Sequence, residues 1–396
     1  MLVVIREGDE FSLKTRFVIQ QLNCPEQIVG VYRSKATKFQ EKWNGNNIQL
    51  PTSLSSFAVY YFLEFLKSPQ DLVNGIMVRV FSRSRGHVIV NEGFFSKLSE
   101  VLYFYFATKA KANGLQRFLS QISSQKTFLI DEFWSINTVN LKEIKQFGNL
   151  IYLSQDVAYN RYGFRDNIIT RDLMYKLESK VVSQADLVIA CSERDRIKYQ
   201  EMGAKKSVFY PNIYPPVNFI SDTKDQSPSI SIVSRGHWGP EADKSVEEIF
   251  KAIATIGIPI NVYVIGKKPK HVPKNVKLHY YNFLPDKLDY LKILSKSWIG
   301  INIGFHLAGS NERKYDYSIA GLVVFSDSLG VRGDLLPHEY CFIDTSDLAA
   351  KLKQLLEFGK EKIVEMGIKN QEQAVKLANS QREELLKTLK SFVQLC

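Results

Sequence analysis

Short apolar runs rich in Val, Ile, Phe and Tyr alternate along the chain with longer segments in which apolar positions recur every three or four residues. Continuous apolar runs suit strands buried on both faces of a parallel sheet, and the 3.6-residue period suits the helices that cover such a sheet. LVVIR (2–6), QIVGVYRS (27–34), IMVRVFS (76–82), HVIVNEG (87–93), TFLIDEFW (127–134), NLIYLSQDV (149–157) and ADLVIACS (185–192) read as strands of a first sheet. Helical patterns fall at 12–22, at 55–68, within 94–121, at LKEIKQF and after Ser192. SISIVS ending at Ser234, INVYVIG (260–266), KLHYYNF (277–283), WIGINIG, LVVFSD and CFID (341–344) read as a second set of strands. Helices are expected at 285–297, from Thr345 as its cap, and at roughly 359–378 and 380–395. This alternation predicts an α/β fold with two parallel sheets.

Pro211, Pro215 and Pro216 stiffen a connector, and SDTKDQSPS (221–229) is a polar linker, so a domain boundary is placed near residue 215. The expected organisation is a first domain over 1–215, a second over 216–378, and a last helix of about 379–396 that packs back on the first. A chain of 396 residues gives each domain a core of ordinary size.

The run Trp298 to Asp327, WIGINIGFHLAGSNERKYDYSIAGLVVFSD, carries the most chemistry. It reads as a strand, a polar loop over Ala308 to Asn311 that includes Ser310, a short helix opened by Glu312, Arg313 and Lys314, and a second strand. A helix start presents unpaired backbone N–H groups and the positive end of a dipole, and here two cations stand beside it. Asp316 and Tyr317 follow in the next turn, and Gly321 stops the helix. Phosphates at the cations and ribose hydroxyls on the carboxylate would suit a nucleoside diphosphate. The alternative is a solvated helix start with an ordinary glycine stop. Arg235, Gly236 and His237 form a comparable loop after Ser234, ahead of a helix with Lys244. Gly8 permits a tight turn after the first strand, and Asp156 ends the strand NLIYLSQDV before an aromatic and charged loop with Arg161 and Arg165. Strand ends of this kind are where open α/β sheets place ligands.

Composition narrows the classes. With 45% hydrophobic and 23% charged residues the chain is globular, not disordered. The net charge of +11 is uneven, with 28 Lys and Arg against 20 Asp and Glu over residues 1–210 and 24 against 21 thereafter. That bias favours an anionic partner. The helix within 94–121, aromatic with a basic end at Lys109, Lys111 and Arg117, offers an anionic membrane surface as one such partner and a plain core helix as the other reading. Cys24, Cys191, Cys341 and Cys396 are scattered, which argues against a disulfide framework or a zinc site. No apolar run approaches the ~18 residues of a membrane span, so the expected location is cytoplasmic, with peripheral attachment to the inner face of the membrane as an alternative. No nucleic-acid motif is present, and no nucleic-acid partner is expected.

The segment GSNERKYDYSIAGLVV resembles the donor-site motif of GT-B glycosyltransferases of the family-4, retaining type. In that register Arg313 stands where the family has its phosphate-binding Lys, Asp316 where it has the ribose-binding Glu, and Gly321 where it has its Gly; Lys314 replaces Arg313 if the loop slips by one residue. Two positions depart: Val323 replaces the family's Pro, and Ala308 falls where many members carry a further Glu. ADLVIACS and KKSVFYPNIYPP resemble the strand and Pro-Asn segment that close the first GT-B domain. The resemblance implies two Rossmann-like domains facing a central cleft, with a nucleotide-sugar donor in the second and a glycan or lipid-linked acceptor at the first. It assigns Arg235 and Lys244 to the donor diphosphate, with Gly236 and Ser310 beside them, Phe283 and Leu284 to the nucleobase, and Asp156 to the acceptor side, where the strand-end position of Gly8 and the loop position of Arg161 make them acceptor contacts as well. Asp156, Arg235 and Arg313 would carry the chemistry. No Asp-x-Asp motif is present, which agrees with a metal-independent transfer without a cofactor, and the resemblance to retaining members implies a hexosyl transfer with retention. The other readings are a non-catalytic sugar-nucleotide or glycan binder, and an epimerase on the same fold.

Overall fold

A computed structural model of the 396-residue chain describes residues 2–6, 15, 19, 28–32, 46–49, 126–131, 141–154, 157–160, 168–213, 219, 221, 223–234, 239–266, 268–302, 312–327 and 336–392. It divides into two compact units. The first comprises Met1–Cys191, Asp195–Tyr210 and Glu384–Cys396, and the second Ser192–Arg194 and Pro211–Glu383.

The first unit is built on a seven-stranded sheet. Its strands are β1 (Leu2–Arg6), β2 (Ile28–Tyr32), β3 (Asn46–Gln49), β4 (Lys126–Asp131), β5 (Gly148–Leu153), β6 (Leu187–Ala190) and β7 (Ser207–Phe209). They lie in the order β3-β2-β1-β4-β5-β6-β7 with every neighbouring pair parallel. The helices described with them are α1 (Leu141–Phe147), α2 (Ile168–Gln184) and α3 (Glu193–Glu201). Continuous apolar strands are what a sheet covered on both faces requires, and all six residues of β4 are buried. Leu2, Val4, Leu129, Ile151, Leu153, Leu187 and Ile189 form one core with Leu385 and Leu389 from the end of the chain. Asp186, just before β6, accepts a hydrogen bond from the Leu150 amide at 2.8 Å and pairs with Lys145 of α1, tying three elements together.

The second unit holds a six-stranded parallel sheet in the order β10-β9-β8-β11-β12-β13. Its elements run β8 (Ser229–Ser234), α4 (Gly239–Ala254), β9 (Ile260–Gly266), β10 (Val276–Tyr281), α5 (Lys287–Ser295), β11 (Ile299–Asn302), α6 (Glu312–Ile319), β12 (Val323–Asp327), β13 (Glu339–Phe342), α7 (Thr345–Leu356) and α8 (Gly359–Phe392). Side chains alternate across each strand, so Ile230, Ile232, Ile299, Ile301, Val323 and Phe325 pack on α4 and α7. The opposite face is covered by Leu291, Leu294, Tyr315, Tyr317 and Ile319 of α5 and α6, with Ala374 and Ala378 of α8. Each fully buried Ile, Val or Phe contributes roughly 1.5–3 kcal/mol relative to exposure.

Three sequence expectations need correction. The chain ends in one 34-residue helix, α8, and not two. No Gly or Pro follows Gly367, and Ile363, Met366, Ala374, Ala378, Leu385 and Leu389 keep a buried stripe along it. The cap of α7 is Asp344, which accepts from the Asp347 amide at 2.8 Å, whereas the Thr345 hydroxyl donates to Glu248 of α4. Strand β13 begins at Glu339, two residues ahead of CFID. Helix α2 and strand β3 were not anticipated. The expected strands at 76–82 and 87–93 and the helices at 55–68 and 94–121 lie outside the described residues. Among the described residues no helix is long and apolar enough to cross a membrane.

Candidate functional site

In the second sheet the strand order reverses between β8 and β11, which is the point where doubly wound sheets open a crevice beyond their carboxyl ends. Helix α6 is fixed at that point. Gly300 of β11 lets the Tyr317 ring lie on the strand, because a Cβ at residue 300 would come within 2.3 Å of the ring. The Tyr317 hydroxyl donates to the Ile301 carbonyl at 3.1 Å and accepts from the Val233 amide at 2.9 Å, so one phenol bridges β11 and β8. Burial holds that phenol protonated far above its usual range.

The carboxyl end of α6 is equally constrained. Gly321 takes φ +72°, and the Leu322 amide returns to the Tyr317 carbonyl at 3.0 Å, the pattern of a Schellman stop. Lys224 donates to the Ala320 carbonyl at 3.1 Å and the Ser297 carbonyl at 2.8 Å, while Gln371 donates to Ile319 at 2.6 Å. Burial brings the Lys224 ammonium down to about 7. A helix held at both ends keeps its side chains in one geometry, which binding requires.

From this platform Arg313 donates to the Val233 carbonyl at 3.2 Å, which places its guanidinium at the end of β8 beside the reversal point. Asp316 lies one turn on, largely buried, and pairs with Lys287, the first residue of α5. Tyr290 stands close to the same carboxylate, and burial first, then that negative charge, pushes its hydroxyl well above the usual range. Glu312 accepts from Asn212 at 3.1 Å, so the helix start is tied to the Pro-Asn segment that begins the second unit. Phe283 is 77% exposed and Leu284 half-buried in the turn between β10 and α5.

Lys314 departs from expectation. It lies about 100° round the helix from Arg313. Its ammonium turns to Glu339 of β13 at 3.0 Å, with side-chain exposures of 1% and 0%. Enclosed with its carboxylate against the sheet, it is not displayed to a ligand and belongs to the packing of α6. Of the remaining candidates, Lys244 lies on α4, and Arg235, Gly236 and Ser310 fall outside the described residues, as do Gly8, Asp156 and Arg161 in the first unit.

The first unit carries a polar cluster that sequence reasoning missed. Glu178 of α2 is fully buried and accepts from the Ala158 amide at 2.8 Å and from the hydroxyls of Tyr199 and Tyr152 at 3.2 and 3.3 Å. Tyr199 also hydrogen-bonds Ser154, the residue after β5, and the buried Asp195 accepts from the Cys191 thiol at 3.6 Å. Burial lifts the Glu178 carboxyl up to about 7 against the lowering effect of its hydrogen bonds. The cluster thus ties Ser154 and Ala158 to helices α2 and α3. A signal was present: Glu178 takes the i+4 place in a stripe with Met174, Val181 and Val182, all buried. Lys287 and Tyr290 had no comparable signature, because their proximity to Asp316 depends on how α5 packs on α6.

No protein-family model and no curated protein sequence matches the chain. Solved structures do. The UDP-forming α,α-trehalose-phosphate synthase of Burkholderia xenovorans superposes with a TM-score of 0.61 at 10% identity over 99% of each chain. Sucrose-phosphate synthase of Thermosynechococcus elongatus gives 0.59 at 11% identity over 98% of each chain. HepE of Anabaena, in complex with UDP and glucose, gives 0.59 at 10% identity over 98% of this chain and 99% of that one. The chain therefore has the GT-B fold, with two parallel-sheet units. Identity at this level carries the fold alone.

Proposed function

We propose that this protein is a glycosyltransferase that takes its sugar from a nucleoside diphosphate sugar held by the second unit. The observation that carries the reading is the anchoring of Arg313, Asp316 and Tyr317 on one clamped helix at the β8/β11 reversal. A cation and a carboxylate one turn apart match a diphosphate followed by ribose hydroxyls. The structural neighbours HepE, crystallised with UDP, and the UDP-forming trehalose-phosphate synthase support a uridine nucleotide as the first donor to try.

In this reading Arg313, with Arg235 as its expected companion, neutralises the charge that develops on the departing diphosphate, and no metal is required for that step. Asp316 accepts the ribose hydroxyls, and the Phe283–Leu284 turn meets the base. Asp156 is the acceptor-side carboxylate, and a glycan or lipid-linked acceptor is expected. The resemblance to the family-4 type supports retention, with the leaving phosphate taking the acceptor's proton.

The test is release of free nucleotide from UDP-, GDP- and ADP-sugars offered with mixed glycan and lipid-linked acceptors. Turnover is expected with one base, and Arg313→Ala is expected to reduce kcat roughly 100-fold, the size of effect seen when one transition-state donor is removed. A folded Arg313→Ala protein that releases nucleotide at the unaltered rate would refute the role given to Arg313. No turnover with any of the three donor classes would refute the proposed activity.

A further inference from the structure

Lys287 is placed where a helix gains nothing from it. It is the first residue of α5, directly after the Asp286 cap, which accepts from the Asp289 amide at 2.9 Å. A cation there faces the positive end of the helix dipole and is unfavourable for the helix itself. Its ammonium instead sits on Oδ1 of Asp316 and over the Tyr290 ring at 5.1 Å, while 41% of its side chain stays exposed. Asp316 has 10% of its side chain exposed, so its carboxylate is confined between a cation, a phenol and the body of the unit. A carboxylate without such partners turns freely about its last bond, and the cost of fixing it falls on the ligand at binding.

We infer that Lys287 is a positioning residue of the nucleotide site: by holding Oδ1 of Asp316 it keeps the carboxylate in one rotamer, ready for a ribose diol. The inference rests on the nucleotide reading above and adds to it a residue from a different helix, so that the approach of α5 to α6 sets the strength of ribose binding. Lys287 keeps 41% of its side chain in solvent, so water can take its place at Asp316 and the pair contributes less to the fold than the wholly enclosed Lys314–Glu339 pair, which separates a positioning role from a structural one.

The experiment titrates UDP, GDP and ADP into the full-length protein by calorimetry, and repeats the titration of whichever binds with its 2′,3′-dideoxy form. Lys287→Met is expected to weaken the ribonucleotide about tenfold, equivalent to about 1.4 kcal/mol. Its unliganded melting temperature should stay close to that of the wild type, and Lys287→Arg should restore affinity to within about twofold. The loss should vanish in an Asp316→Ala background and with the dideoxy nucleotide, because Lys287 acts through the carboxylate on the ribose hydroxyls. In turnover the change should appear in KM with kcat preserved. Unaltered affinity in Lys287→Met would overturn the inference while leaving the nucleotide site standing, as would an equal loss in the Asp316→Ala background, which would mean a direct phosphate contact. Failure of the wild type to bind any of the three nucleotides would remove the nucleotide reading and this inference with it.

Discussion

The two sheets share their central strand order, and their carboxyl ends carry different chemistry. Beyond β8 and β11 the second unit sets a guanidinium, an ammonium and a largely buried carboxylate on clamped helices. Beyond β5 the first unit sets a buried carboxyl that titrates near 7 among three hydroxyls, those of Tyr152, Tyr199 and Ser154. One end carries an ion pair beside a guanidinium, the other a carboxyl that changes charge near neutrality. Topology decides where a ligand can approach, and the side chains decide what it is.

The contrast is tested most severely at the buried pair beneath α6. Lys314→Met should destabilise the protein by about 3–5 kcal/mol, because it strands the Glu339 carboxylate in the interior. Adding Glu339→Leu should recover much of that loss, and urea unfolding of the single and double variants measures both. If Lys314→Met unfolds like the wild type but loses nucleotide affinity, Lys314 is a ligand contact after all and the packing role fails.

The first unit gives the smaller effect, with a defined pH sign. Glu178 is raised from 4.5 to about 7 in the folded protein. The unfolded chain therefore loses its proton first: the stability contributed by the neutral carboxyl is full below about pH 4.5 and lost as pH rises through 7. The shift corresponds to on the order of 3 kcal/mol at most. Glu178→Gln should melt above the wild type at pH 8, and the gap should close toward pH 5. A gap that stays constant with pH would show that Glu178 is ionised throughout, and the two strand ends would then not differ in the way described.

How far the chain could be read in advance varied with how local the determining contacts are. Strands β8 to β12 were legible because a parallel sheet covered on both faces demands uninterrupted apolar runs, which SISIVS, INVYVIG and LVVFSD supply. The start of α6 at Glu312 and its stop at Gly321 were legible for the same reason, since helix ends are written in neighbouring residues. The orientation of α6 was not. Arg313 and Lys314 are chemically alike and adjacent, and which of them reaches the end of β8 and which the Glu339 carboxylate depends on Tyr317 seating on Gly300 and on Glu339 arriving from a strand still to come. Helix α2 was missed because Glu178 interrupts its apolar stripe with a charged residue that only tertiary contacts make tolerable. Likewise α8 was expected as two helices, at 359–378 and 380–395, although Ala378 and Leu385 on either side of that division keep the buried stripe intact.

The central claim is that the β8/β11 reversal holds a nucleotide through Arg313 and Asp316. Calorimetric titration of UDP, GDP and ADP into the wild type and into Asp316→Ala tests it most directly. The account predicts that one nucleotide binds with Kd below about 1 mM and that Asp316→Ala, with its fold confirmed by circular dichroism, weakens it at least tenfold, or about 1.4 kcal/mol. An affinity unaltered by the substitution, or no binding heat from any of the three, would contradict it.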